Sequence, residues 1–215
     1  AGTPMCGNNP VSRTDPSGLR TYFIPGIGGS LYPGFTNALQ GPPTYLTDVR
    51  TFPVFQAGLP GTLKTELEAA AEAAADPTKD PDAQALARQV KSDLLRDPLA
   101  AGEQLNFIGY SGGATVAFDA AVILQYATGM NFASRIVIDN IVTLGGFVFR
   151  GKPGNVAKWT EVTGDLDVIT RAYAFPDALY WEYGVAHFPI GPIPSYVTGG
   201  GIPQTLNIVN ATGLR

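Results

Sequence analysis

The stretch Gly109-Tyr110-Ser111-Gly112-Gly113 constrains this chain more than any other. It follows the apolar run Leu105, Phe107, Ile108 and precedes a helical pattern over 114–127. A strand that must reverse into a helix within a few residues holds the middle residue on a tight, strained turn. Glycines two before and two after that residue let backbone pass where a Cβ would clash. Ser111 is then expected to stand exposed at the carboxyl end of a sheet, within reach of a substrate carbonyl. G-x-S-x-G spacing is weak by itself, because Gly and Ser are common in loops. The strand before it and the helix after it give it weight. The competing reading is a glycine-rich turn whose serine only caps the helix.

A chain of 215 residues is expected to form one domain, over 21–215, with a substantial core. Hydrophobic residues at 45% against 15% charged ones suit a well-buried globular fold rather than a disordered segment. A formal charge of -4 argues against nucleic acid as a partner and against electrostatic docking to anionic lipid. The single cysteine, Cys6, allows no disulfide within the chain, and beside the single histidine, His187, it makes no Cys/His metal cluster. No stretch approaches the roughly 18 apolar residues of a membrane span, and the longest candidate, 114–130, is interrupted by Asp119 and Gln125. No basic-then-apolar leader opens the sequence.

Residues 1–20 are polar and turn-rich and are expected to form a leader. The apolar strand 21–24 then runs into Pro25-Gly26-Ile27-Gly28-Gly29-Ser30. That glycine turn carries neither the Lys of a phosphate-binding loop nor a dinucleotide fingerprint, so its expected use is to present backbone N–H groups to an oxyanion. The segment 31–60, rich in Pro, Gly and aromatics, is expected to be irregular, as a lid or pocket wall or as a surface-packed loop. Helices are expected over 62–75 and 83–95, the second with Leu86, Val90 and Leu94 at helical spacing. Glu66, Glu68 and Glu72 belong to a solvated face of the first.

Beyond the elbow, Ile141-Val142-Thr143-Leu144 has the β-branched content of a buried strand, and 158–163 forms a shorter one ahead of Gly164-Asp165-Leu166-Asp167-Val168-Ile169. An aromatic-dense stretch over 175–187 ends in His187, and 190–215 suggests no role. Strands alternating with helices indicate an α/β fold with a mostly parallel sheet.

A serine hydroxyl needs a base to take its proton, and that base needs an acid to hold its tautomer. His187 follows Ser111 in the chain, with Asp165 and Asp167 between them at a strand end. The order Ser, Asp, His differs from the orders of the chymotrypsin and subtilisin types. Asp139 lies at the start of a strand, the wrong end of the sheet, and Asp119 lies inside the elbow helix.

These features together resemble the small bacterial lipases and esterases of the α/β-hydrolase fold. Phe23-Ile24-Pro25-Gly26-Ile27-Gly28-Gly29-Ser30 is similar to their H-G-x-G-G oxyanion turn, with Pro25 where the family usually has His. The resemblance implies an oxyanion hole from the N–H groups of Ile27 and Gly112. It also implies Asp167 as the triad acid, from the fit of 164–169 to G-x-x-D-x-[VI], with Asp165 as the alternative. No metal and no organic cofactor is called for. The implied activity is hydrolysis of carboxylic esters, with 31–60, Phe147, Phe149 and Phe188 as an apolar acyl pocket. A phospholipase, thioesterase or amidase would use the same triad, and the scaffold could also serve as a binding module without turnover.

A second resemblance lies upstream. Gly7-Asn8-Asn9-Pro10-Val11-Ser12-Arg13-Thr14-Asp15-Pro16-Ser17-Gly18-Leu19 is similar to the P-x4-D-P-x-G-L end of the core of RHS-repeat proteins. In that family the junction separates an encapsulating shell from a variable C-terminal domain, often a toxin. It implies that the domain is cargo of an RHS shell, delivered as an effector; the alternative is a cytoplasmic enzyme.

Overall fold

In the computed structural model the chain is described over residues 19–26, 33–53, 76–126, 136–146, 148, 151–167, 176–187, 192–212 and 214. Six strands, β1 (Leu19–Ile24), β2 (Asp48–Thr51), β3 (Gln104–Tyr110), β4 (Ile138–Leu144), β5 (Val156–Gly164) and β6 (Ala178–Glu182), form one sheet in the order β2-β1-β3-β4-β5-β6. Every neighbouring pair is parallel. Parallel strands need crossovers, and crossover helices cover both faces, so the central strands are buried on both sides.

One face carries Tyr22, Ile24, Leu105, Phe107, Ile141 and Trp159 against α2 (Pro81–Arg96) and α3 (Gly112–Gln125). The other carries Phe23, Ile108, Tyr110, Val142, Leu144 and Val162 against α1 (Pro33–Leu39) and α4 (Gly201–Ala211). Strand side chains alternate between the two layers, as the period of two requires.

Helix α2 is specified locally. Pro81 at its first position needs no N–H partner, and the Asp80 carboxylate accepts from the N–H groups of Asp82 (2.9 Å) and Ala83 (3.1 Å). Its expected apolar stripe, Leu86, Val90 and Leu94, is buried.

Two expectations are corrected. The 31–60 segment is not wholly irregular: it holds α1 and the edge strand β2. Helix α1 contains Gly34, Thr36 and Asn37, poor helix formers, and is held by burial of Phe35 and Leu39, with the Phe35 ring 5.1 Å from that of Phe23. Strand β2 lacks an apolar run because its Asp48 and Arg50 make ion pairs instead. The stretch 190–215, to which no role was given, holds the helix α4 over Gly201–Ala211. Strand β1 begins at Leu19, two residues ahead of the expected start. The helix expected over 62–75, with its glutamates, lies outside the described residues.

Candidate active site

Strand β3 ends at Tyr110 and helix α3 begins at Gly112, leaving Ser111 alone at the reversal with φ 53° and ψ -127°. Such a conformation is strained for a residue with a Cβ and persists only where its surroundings impose it. Those surroundings are tight. A Cβ on Gly109 would lie 2.6 Å from the Ala114 Cα, and one on Gly113 would lie 2.7 Å from the Pro25 carbonyl oxygen. The Ser111 N–H donates to the Leu144 carbonyl at 3.0 Å, tying the elbow to β4.

The serine side chain does not cap α3. Its Oγ lies 2.8 Å from Nε2 of His187. Nδ1 of His187 lies 3.1 Å from Oδ2 of Asp167. All three residues are buried, Ser111 included, where exposure was expected. Its cover comes from Gly26, whose Cβ position is 2.9 Å from the Ser111 Cβ, and from the imidazole on its hydroxyl. With a carboxylate on Nδ1, the imidazole carries its proton there and presents a lone pair at Nε2 to the hydroxyl.

The two aspartates have separate work. Residues 165 and 166 form a turn rather than continuing β5, so the two side chains do not share a face. Oδ1 of Asp165 accepts the Gly184 N–H at 2.7 Å, bracing the turn after β6. Asp167 faces the histidine. The Asp139 carboxylate accepts the Leu105 N–H at 2.9 Å near the amino end of β3, and Asp119 is buried within α3.

Two tyrosines at this site were not anticipated. Tyr196, from the stretch to which no role was given, donates its hydroxyl to Oδ2 of Asp167 at 2.7 Å and accepts the Gly164 N–H at 2.5 Å. Burial, and then the neighbouring Asp167 charge, raise its pKa far above the usual phenol value, so it stays a donor. Tyr110, the variable residue of the elbow motif, stacks on the His187 ring at 5.8 Å and donates its hydroxyl to the His187 carbonyl. No sequence spacing relates 196 to 167; for Tyr110 the only signal is its place beside the serine.

Gly112 is the first residue of α3, where an N–H has no intrahelical acceptor. Ile27 lies outside the described residues, as do Phe147, Phe149 and Phe188. Among the described residues no group of three His, Cys, Asp or Glu side chains could hold a metal ion. No described helix is long and apolar enough to cross a membrane.

Neither a protein-family model nor a curated protein matches the sequence. Among solved structures, the chain is similar to the esterase domain of a Rhodothermus marinus protein. The TM-score is 0.52 at 12% identity, over 95% of this chain and 89% of that one. The fold is the α/β-hydrolase fold. A type II thioesterase of the yersiniabactin biosynthetic pathway aligns over 90% of this chain and 91% of its own, with TM-score 0.45 and 12% identity. Within the hydrolase fold the serine leaves the sheet after β3, the aspartate after β5 and the histidine after β6, all at carboxyl ends of strands.

Proposed function

We propose that this chain is a serine hydrolase of carboxylic esters that works through an acyl-enzyme. The observation that carries the reading is the unbroken chain from Ser111 Oγ to His187 Nε2 (2.8 Å) and from His187 Nδ1 to Asp167 (3.1 Å). It starts from a serine strained onto an elbow. Ser111 attacks the ester carbonyl while His187 takes its proton, and Asp167 orients the imidazole and stabilises the imidazolium. The N–H groups of Gly112 and Ile27 receive the oxyanion, at about 3–4 kcal/mol per donor. His187 then protonates the leaving alcohol, and water repeats the sequence to free the acid and regenerate the serine.

The acyl pocket is assigned to the aromatic 31–60 segment with Phe147, Phe149 and Phe188, which favours uncharged or lipid-like esters. The stretch ahead of β1 serves in this reading as the junction to an RHS shell, and the domain from Leu19 onward as its effector cargo.

Turnover of p-nitrophenyl esters by the wild type and by Ser111→Ala tests the nucleophile. Activity is expected to fall at least 10³-fold in the variant. Ester turnover that persists in Ser111→Ala would remove the assignment. A panel of acyl esters of rising chain length, a thioester, a phospholipid and an amide then separates the activities that share this triad.

A further inference from the structure

A second carboxyl lies near enough to the acid of the triad to feel its charge. Glu161 is fully buried on β5, in register with Thr143 of β4. Thr143 donates its hydroxyl to Oε2 of Glu161, and the Gly146 N–H donates to Oε1 at 3.2 Å. Trp159 Nε1 in turn donates to the Thr143 hydroxyl at 2.8 Å.

The turn that Glu161 grips joins the two halves of the site. Gly145 packs on the acid: a Cβ there would be 2.7 Å from Oδ2 of Asp167. Gly146 packs on the nucleophile helix: a Cβ there would be 2.5 Å from the Ala114 Cβ. Glycine is needed at 145, where φ is +55°. We propose that Glu161 is a positioning residue that clamps the 145–146 turn between Asp167 and the Ser111 helix, and that a charge gained there, across the turn from Asp167, loosens the site. The proposal rests on the hydrolase reading above and deepens it, adding a control of the same site by pH.

Burial pushes the Glu161 carboxyl up to about 8, with Thr143 and Gly146 opposing and the Asp167 charge adding to the rise. Among the described residues, the charged group set against Glu161 is Asp167; β4 presents the Thr143 hydroxyl, and the β6 residue in register is Leu179. Below about pH 8 Glu161 is protonated and adds no charge beside Asp167. Above it, a second carboxylate would repel the first across the turn that seats it.

The test compares Glu161→Gln and Glu161→Leu with the wild type, following a short-chain p-nitrophenyl ester from pH 6 to 10 with spontaneous hydrolysis subtracted. The Gln variant keeps an acceptor for Gly146 but cannot ionise. Its kcat should stay within about threefold of wild type near neutrality and lose the fall seen in the wild type as pH rises through about 8. The Leu variant, without the grip, should lose about tenfold or more in kcat with little change in KM. An alkaline fall in Glu161→Gln identical to that of the wild type overturns the proposal, as does a folded Glu161→Leu with unchanged kcat. If the Leu variant does not fold, the pH profile of the Gln variant decides. Ser111→Ala runs alongside: turnover surviving there removes the hydrolase reading, whereas a dead Ser111→Ala beside unaffected Glu161 variants removes this proposal alone.

Discussion

The two ends of the sheet treat buried charge in opposite ways. At the amino ends of β1 and β2, the buried charges among the described residues have partners of opposite sign. The side chain of Arg20, 3% exposed, reaches Asp48 at 3.2 Å, Asp97 at 2.8 Å and Glu103 at 3.6 Å. Beside it, Asp93 takes Arg50 at 2.8 Å and Arg96 at 2.6 Å, with the Tyr22 hydroxyl at 2.7 Å. Burial alone would raise Asp93, but donation from Gln89, Tyr22 and Arg50 outweighs it and holds the carboxylate below its ordinary value.

At the carboxyl ends the carboxyls meet neutral donors instead. Asp167 has a phenol and an imidazole, Glu161 a hydroxyl and a peptide N–H. Glu182, whose two oxygens have no hydrogen-bond partner among the described residues, is pushed up to about 7 by burial. A carboxylate matched by guanidinium is electrostatically spent and serves as scaffold. One held by neutral groups keeps its field for a histidine that, in the proposed mechanism, becomes positive.

Three substitutions sharpen or break this contrast. Asp167→Asn should cost the most: the geometry survives, but the amide favours the wrong imidazole tautomer, and kcat should fall on the order of 10⁴-fold. A steady-state profile with kcat within tenfold of wild type would place the working acid elsewhere. Arg20→Ala should act on the fold alone. It strands the side chain of Glu103, 6% exposed, and should lower stability by about 3 kcal/mol in urea unfolding, with kcat unchanged below the transition. A kcat loss in that folded variant would show that the two ends are coupled.

Glu182→Gln should have the smallest effect, and its sign is set by burial. Glu182 releases its proton near the ordinary 4.5 when unfolded but only near 7 when folded. The wild type therefore holds the full contribution of this group below pH 4.5 and loses it as pH rises towards 7. The glutamine cannot titrate. Its stability relative to wild type should climb by on the order of 2 kcal/mol across that window and flatten above it. A difference that does not vary with pH in thermal melts would mean that Glu182 is ionised in the fold.

Much of the site was legible because it is written locally. Gly109 and Gly113 bracket Ser111 at the spacing a strand-to-helix reversal needs, and a single histidine leaves one candidate base. The helix at 83–95 and the strands around 21–24, 141–144 and 158–163 follow from periodicity and β-branched content. An α/β fold with a mostly parallel sheet could therefore be read from pattern, while the α/β-hydrolase fold was implied by the resemblance of the motifs. What failed was whatever drew its stability from distant partners. Strand β2 is polar because its partners are Arg20 and Asp93, and α1 is helical because Phe35 has Phe23 to pack on.

The amino-acid sequence on its own determined the elbow, the strand and helix order around it, and the pool from which an acid and a base could be drawn. Tertiary structure decided which of two aspartates meets the imidazole, that Tyr196 shares that carboxylate, and that Glu161 lies under it. The reason is physical. A turn or a helix is set by residues within a few peptide bonds of one another, whereas the number of donors converging on one oxygen is set by strand register and by where chain ends return to the sheet.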